Sequence, residues 1–192
     1  MTVVASNYAR KENDLYQTEP WATEALLRHF PVAGREVWEP AAGNHLMANV
    51  LLEAGASVWT SDIARYDREH CETIDFFSPD ATGHFTDSFG CIITNPPYGN
   101  GNRDAVRFAE LALERCKGLV ALLLTAKFDF GKTRHHLFRD NPRFTAKIAL
   151  VDRISWEGNG KGGTEDHCWL VWTAERPKHW PGPVIYYEGR NG

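Results

Sequence analysis

The chain has 192 residues, a formal net charge of −4, 43 % hydrophobic and 24 % charged residues. That length suits one domain with a proper core, and no apolar run approaches the roughly 18 residues of a membrane span. The acidic balance does not announce a nucleic-acid binder. Four scattered cysteines without a C-x-x-C spacing argue against both a zinc site and a disulfide framework, and no signal-peptide pattern opens the chain.

Taken in chain order, the pattern predicts a helix over 20–30, a strand over 36–39, a helix over 46–54 and strands over 57–61, 71–74 and 90–94. A helix over 102–116, a strand over 119–125, a helix over 132–138 and strands over 146–152 and 167–174 follow. Apolar strands alternating with helical stretches predict an α/β protein, its sheet mostly parallel with helices on both faces. The last two strands flank a long loop and are candidates for an antiparallel pair. Residues 1–13 and 176–192 read as loosely structured tails of a single domain.

Several strand ends carry chemistry. Glu36-Val37-Trp38-Glu39-Pro40-Ala41-Ala42-Gly43 reads as a strand ending in a carboxylate, then a small-residue turn into a helix. The end of the first strand of an open α/β sheet is a favoured ligand crevice, and small residues let a ligand approach the backbone there. About twenty residues on, Val58-Trp59-Thr60-Ser61-Asp62 ends in an acid at the spacing that suits paired ribose hydroxyls. Thr73-Ile74-Asp75-Phe76-Phe77 is a third acidic strand end. Singly, each carboxylate reads as well as a helix cap or a turn residue.

The most informative segment is Asn95-Pro96-Pro97-Tyr98, after the apolar run Cys91-Ile92-Ile93-Thr94. An amide oxygen at Asn95 and the carbonyl of Pro96 can each accept one N–H of a planar NH2 group. Held so, the nitrogen is drawn toward tetrahedral geometry and its lone pair is freed to attack a sulfonium methyl. Consecutive prolines lock the acceptors and push Asn95 into an extended conformation. Tyr98 offers a face on which a base stacks. A plain strand-to-turn junction would also use these residues.

Residues 127–153 carry Lys127, Lys132, Arg134, Arg139, Arg143, Lys147 and Arg153 against Asp129, Asp140 and Asp152. A basic face beside the active site would hold phosphates; a solvated helix of mixed charge is the blander alternative. His135 and His136 have no partner cluster that would make them metal ligands. Glu157–Gly163 is glycine-rich and reads as a mobile loop opened by Trp156.

In this order the segments resemble a class I S-adenosylmethionine-dependent DNA adenine-N6 methyltransferase of the small orphan type seen in bacteriophages and prophages. The resemblance runs from about Asp14 to Trp172 and includes the opening element Tyr16-Gln17-Thr18-Glu19-Pro20-Trp21. It implies a Rossmann-like, mostly parallel seven-stranded sheet with an antiparallel last strand. S-adenosylmethionine would be the cofactor, held by Tyr16, Thr18, Glu39, Pro40, Ala41, Gly43, Asp62, Ile63, Asp75, Phe76 and Asn95. Asn95, Pro96, Pro97 and Tyr98 would form the catalytic loop. Tyr98, Trp156, Lys127, Lys132, Arg134 and Arg153 would meet the substrate, with Tyr98 and Trp156 sandwiching a flipped adenine. DNA would be the partner, no metal would be needed, and the setting would be the cytoplasm of a bacterial host.

About twenty residues follow Trp172, where related modification enzymes carry a target-recognition domain; the expectation is short or relaxed sequence specificity. The same loop serves RNA adenine and protein glutamine-amide methylation, and a catalytically degenerate DNA-binding relative is a further alternative. Two positions depart from the family. His45 replaces a second glycine in the cofactor loop, which puts the close approach of the ligand in doubt. Glu19 replaces a proline and is expected to face solvent.

Overall fold

The computed structural model describes residues 15–82, 90–174 and 182–191. Its elements are α1 (Pro20–Leu27), β1 (Glu36–Glu39), α2 (Leu46–Glu53), β2 (Ser57–Asp62), β3 (Glu72–Thr73), β4 (Cys91–Thr94), α3 (Arg103–Arg115), β5 (Leu119–Thr125), β6 (Phe144–Leu150), β7 (His167–Trp172) and β8 (Val184–Glu188). Together the strands form one eight-stranded sheet in the order β3-β2-β1-β4-β5-β7-β6-β8. Strands β1 to β5 pair in parallel. β7 runs antiparallel to both of its neighbours, and β8 pairs in parallel with β6.

Both faces of the central strands are buried, and side chains alternate between two cores with the period of two that a strand imposes. From β5, Leu119, Ala121 and Leu123 join Trp21, Leu26, Leu51 and Trp169 on the α1 and α2 side. Val120, Leu122 and Leu124 join Phe108, Phe128 and Trp172 on the α3 side. The three fully buried indoles have their N–H satisfied, as burial of a polar group demands: Trp169 donates to the Ala22 carbonyl (2.6 Å), Trp172 to that of Leu137 (2.6 Å) and Trp38 to Ser61 Oγ (2.9 Å).

Several predicted elements change. The stretch over 132–138 is a 3-10 helix, Lys132–Leu137, rather than an α-helix. The third strand shrinks to Glu72–Thr73. Most consequential, Val184–Glu188 is an eighth strand within the segment expected to be a loose tail, while residues 1–13 lie outside the described residues. The reason is long-range pairing. β8 lies along β6 and is pinned to α1 and its C-terminal turn, where Arg28 Nε (2.7 Å) and His29 Nε2 (2.6 Å) meet the Glu188 carboxylate and the His29 ring stacks on Tyr186 at 3.8 Å.

Glu19 is likewise not turned to solvent. It accepts from Trp21 Nε1 (3.0 Å), the Ser155 N–H (2.7 Å) and both terminal nitrogens of Arg190 (2.8 and 2.6 Å). Burial alone would raise its pKa, but Arg190, Ser155 and Trp21 together hold it below the ordinary carboxylate value. The carboxylate thus ties the opening segment, the β6–β7 loop and the residue after β8 together. Among the described residues, no helix is long and apolar enough to cross a membrane.

Candidate active site

Strand order turns around at β1: the chain builds outward to β2 and β3, then crosses back to β4 on the other side. A crevice opens at such a switch point, beyond the carboxyl ends of the parallel strands. Here it is a cavity of about 410 Å³, within the range of small-molecule sites. Tyr16, Thr18, Glu39, Pro40, Ala41, Gly43, Asp62, Ile63, Asp75, Phe76 and Asn95 all line it. Every residue that sequence reasoning assigned to a cofactor is therefore brought to one place.

The loop after β1 shows why its residues are needed. Gly43 has φ +49°, and its N–H donates to Asp62 Oδ2 (2.9 Å), which locks the loop to the end of β2. A Cβ on Gly43 would lie 2.6 Å from Gln17 Nε2 and 2.8 Å from Leu15 Cδ1, so the opening segment closes over a glycine. His45 adopts the left-handed conformation itself (φ 67°, ψ 20°). Its ring turns out of the cavity lining and meets His70, Nε2 to Nδ1 at 2.9 Å. Burial first, and His70 second, hold its pKa below the ordinary histidine value. The departure from glycine is thus absorbed by a second histidine that no short-range spacing reveals.

Glu39 is 2 % exposed, and its Oε2 has no hydrogen-bond partner among the described residues. Burial and then the Asp62 charge push its pKa well above the ordinary carboxylate value, against the pull of the Ala48 N–H. A buried carboxyl kept so is stabilised by an incoming cation, which would both pair with it and draw off its proton. Phe76 is clamped between Phe108 (4.0 Å, stacked) and Trp38 (5.1 Å), while Asp75 Oδ1 accepts the Phe77 N–H at 2.8 Å.

β4 is buried throughout and delivers Asn95 to the rim. Asn95 Nδ2 donates to the Tyr16 carbonyl (3.3 Å), which turns Oδ1 the other way. Pro97 lines the cavity and Pro96 is buried. Tyr98 O–H donates to the Leu123 carbonyl (3.3 Å) and so fixes its ring against β5. Gly99 follows with φ +63°, where a Cβ would lie 2.0 Å from Asp104 Oδ2. Sequence reasoning missed Gln17, Tyr66, Phe77, Asn100 and Asp104 in the lining. Asp104 alone had a signal, as an acid in the first turn of the helix that follows the Asn-Pro-Pro-Tyr loop.

The proposed substrate residues fare differently. Trp156 meets Tyr16 (6.0 Å, 70°) and His167 (4.9 Å, 73°) edge-on, and Tyr98 lies near-parallel to that histidine (6.3 Å, 20°). The basic segment is not the open phosphate face expected. Lys147 is bonded to Asp129 (2.9 Å), Arg139 to Asp140 (2.7 Å) and Arg153 to Asp166 (2.9 Å). Arg134 lies on the Phe128 ring at 4.4 Å and donates to its carbonyl. Arg143 donates to four backbone carbonyls. Lys127 and Lys132 remain exposed. Arg134 and Arg139 find partners close by in the chain, whereas those of Arg143, Lys147 and Arg153 come from other strands and loops, which linear charge counting does not see. His136 pairs with Glu110 (2.8 Å), and among the described residues no group of three His, Cys, Asp or Glu is placed to hold a metal ion.

On the resemblance Asp62 would meet the ribose of S-adenosylmethionine, so Asp62→Ala, which also removes the anchor of the Gly43 N–H, is expected to weaken binding of that cofactor about 10- to 100-fold. Calorimetry with the purified protein checks this; an unchanged Kd would remove Asp62 from the site.

No family model matches the chain, and no curated protein matches it. Solved structures do. A protein from Vibrio vulnificus described as a modification subunit of a type I restriction enzyme aligns with TM-score 0.62 and 13 % identity over 91 % of this chain and 47 % of its own. The M protein of the type I restriction enzyme EcoKI aligns with TM-score 0.64 and 12 % identity over 90 % of this chain and 48 % of its own. One from Pyrococcus horikoshii described as an RNA methyltransferase aligns with TM-score 0.60 and 17 % identity over 85 % and 88 %. The chain thus spans about half the length of the two restriction-enzyme proteins. With the strand order, the switch-point cavity and these neighbours together, the chain has a Rossmann-like methyltransferase fold.

Proposed function

We propose that this chain transfers a methyl group from S-adenosylmethionine to the exocyclic N6 of adenine in DNA, with short or relaxed sequence specificity. One observation carries the reading: eleven residues assigned to the cofactor from sequence line a single cavity, and Asn95 of the Asn-Pro-Pro-Tyr loop is one of them. Binding and amine-holding groups therefore meet on one rim. The donor set fits the cofactor. Glu39, a buried carboxyl lacking a partner at Oε2, suits the ammonium of the methionyl group. Asp62 at the end of β2 suits ribose hydroxyls, and Phe76 in the same lining suits an adenine ring.

When bound, S-adenosylmethionine supplies an electrophilic sulfonium methyl. The chain's own residues hold the nucleophile. Asn95 Oδ1 and the Pro96 carbonyl accept the two N–H bonds of the target amine, and Tyr98 supports the ring. Orientation and preorganised acceptors account for most of the rate, and the amine loses its proton after attack, so no general base is required. The target base must leave the stack to reach this rim. DNA is favoured by the sequence resemblance and by two fold neighbours described as restriction-enzyme modification proteins. Internal pairing of most of the basic segment is in keeping with few phosphate contacts, which position a duplex without reading its sequence.

The test is mass spectrometry of nucleosides after the protein is incubated with S-adenosylmethionine and unmethylated DNA, with RNA in parallel. N6-methyldeoxyadenosine at a sizeable fraction of total adenine is expected. Product in RNA alone would move the substrate, and no product in either would point to a protein amide. Modification confined to one site of five or more base pairs would overturn the relaxed specificity.

A further inference from the structure

The loop after β1 is fastened by side chains that stand outside the cavity lining. Asn44 Nδ2 donates to Asp67 Oδ2 (3.2 Å), and Asn44 Oδ1 accepts the Asp67 N–H (3.0 Å). Next to it, His45 Nε2 meets His70 Nδ1 at 2.9 Å. All three bonds reach the segment 63–70, which follows β2 and supplies Ile63 and Tyr66 to the cavity. From the cavity side Asp62 joins the same two stretches, Oδ2 accepting the Gly43 N–H (2.9 Å) and Oδ1 that of Ala64 (3.4 Å). The Asn44–Asp67 pair is exposed, so water competes for it, whereas His45 is 9 % exposed and its bond is the costlier one to lose. For His70 this is also the only ring hydrogen bond among the described residues, since its Nε2 is buried without a partner.

A bond between two imidazoles needs one N–H and one lone pair. With both rings neutral, or with one proton added, one ring can donate to the other. With both charged no acceptor is left, and like charges stand 2.9 Å apart. His45 faces His70 and Arg68, which oppose a charge on it, and Asp62, which favours one. His70 faces His45 and the edge of the Tyr66 ring (6.2 Å, 83°). Burial first, then His70 and Arg68, hold the His45 pKa below the ordinary histidine value. His45 is therefore uncharged at neutral pH and the tie is intact there; it is lost as the pH falls past the ordinary histidine range.

Building on the proposed function, we infer that His70 is a positioning residue for the cofactor: through His45 it holds the Gly43 turn against the 63–70 segment, and a second proton on the histidine pair releases that hold and lowers cofactor affinity. Glycine at position 45 would take the same φ of 67° without strain but could make no such tie. The histidine thus adds a proton-sensitive fastening where the backbone alone favours glycine.

The test is calorimetry of the full chain with S-adenosylmethionine at about pH 7.5 and about pH 5.5. Glu39, whose pKa burial raises, also titrates in the cavity, so the difference between variants decides rather than the wild-type slope. H70A should bind about 5- to 10-fold more weakly than the wild type at the higher pH. H70N sets an amide oxygen near the place of Nδ1, which accepts from His45 whether that ring is neutral or charged. It should match the wild type at the higher pH to within about twofold, and on acidification the wild type should lose about 5- to 10-fold more affinity than H70N. A second readout needs no ligand: hydrogen exchange of the Gly43 amide should be about 5- to 10-fold faster in H70A and unchanged in H70N. Unchanged affinity or unchanged Gly43 exchange in H70A, or an H70N that loses affinity with acid as the wild type does, would each overturn the inference. Should H70A fail to fold, the acid response of H70N against the wild type still decides. Faster Gly43 exchange in H70A, in a protein whose wild type binds no adenosyl cofactor, would instead keep the tie and reject the proposed reaction.

Discussion

Asn95→Ala is expected to lower turnover about 10³-fold while cofactor affinity changes by less than about threefold. The asymmetry follows from the two ends of the side chain. Nδ2 is used internally, on the Tyr16 carbonyl, and that bond aims Oδ1 as an acceptor. An acceptor so aimed acts on the amine that becomes electron-poor during transfer, and such interactions appear in kcat rather than in ground-state binding. Asn95 is only one of many residues around the cavity, so the cofactor loses little. Asn95→Asp keeps an acceptor but sets a second oxygen against the Tyr16 carbonyl, so it should recover part of the rate at most. Single-turnover rates paired with calorimetry decide the matter. Parallel loss of rate and cofactor binding would make Asn95 a binding residue.

The second large effect is on stability. Arg143→Ala should cost about 3 kcal/mol and lower the melting temperature by about 6–12 °C. Its guanidinium reaches the carbonyls of Leu113 (2.9 Å), Cys116 (2.8 Å), Gly118 (2.8 Å) and Thr173 (2.8 Å). It thereby joins the end of α3, the entry to β5 and the exit from β7. Burial pulls the Arg143 pKa below its ordinary value, opposed by Cys116, so the site bears a real desolvation cost. Removing the cation leaves the carbonyls without their donor, the costly way to break such an interaction. Arg143→Lys supplies one compact charge in place of a planar fork and should restore under half of the loss. Thermal unfolding by circular dichroism measures both variants; a change below about 1 kcal/mol for alanine would mean that water replaces the guanidinium freely.

Arg143 and Arg134 show what linear reading cannot judge. Both count as basic residues of one segment, yet one clamps backbone carbonyls and the other covers Phe128. Whether a cation faces a phosphate or an interior carbonyl depends on the folded surroundings, and the carbonyls that Arg143 holds lie 25 to 30 residues away. Glu19 makes the same point, since its main cation, Arg190, lies 171 residues away. His45 was legible as a departure from glycine, but its partner His70 stands 25 residues off with no periodic relation to it.

The alternation of strands and helices, the two-faced burial of β4 and β5 and the cofactor-assigned part of the cavity lining were by contrast written in local sequence. Apolar runs broken by small residues dictate buried parallel strands, and carboxylates at strand ends must gather where those strands point. The chain by itself therefore determined its α/β class, eleven of the residues around the cavity and the rigid Asn-Pro-Pro-Tyr turn, because each rests on backbone geometry within a few residues. Only the tertiary structure decided which charges are satisfied internally, that Val184–Glu188 adds an eighth strand, and that His167 meets the rings of both Tyr98 and Trp156. Those outcomes depend on which distant elements become neighbours across the sheet, and pairing energy at that range leaves no mark in short-range spacing.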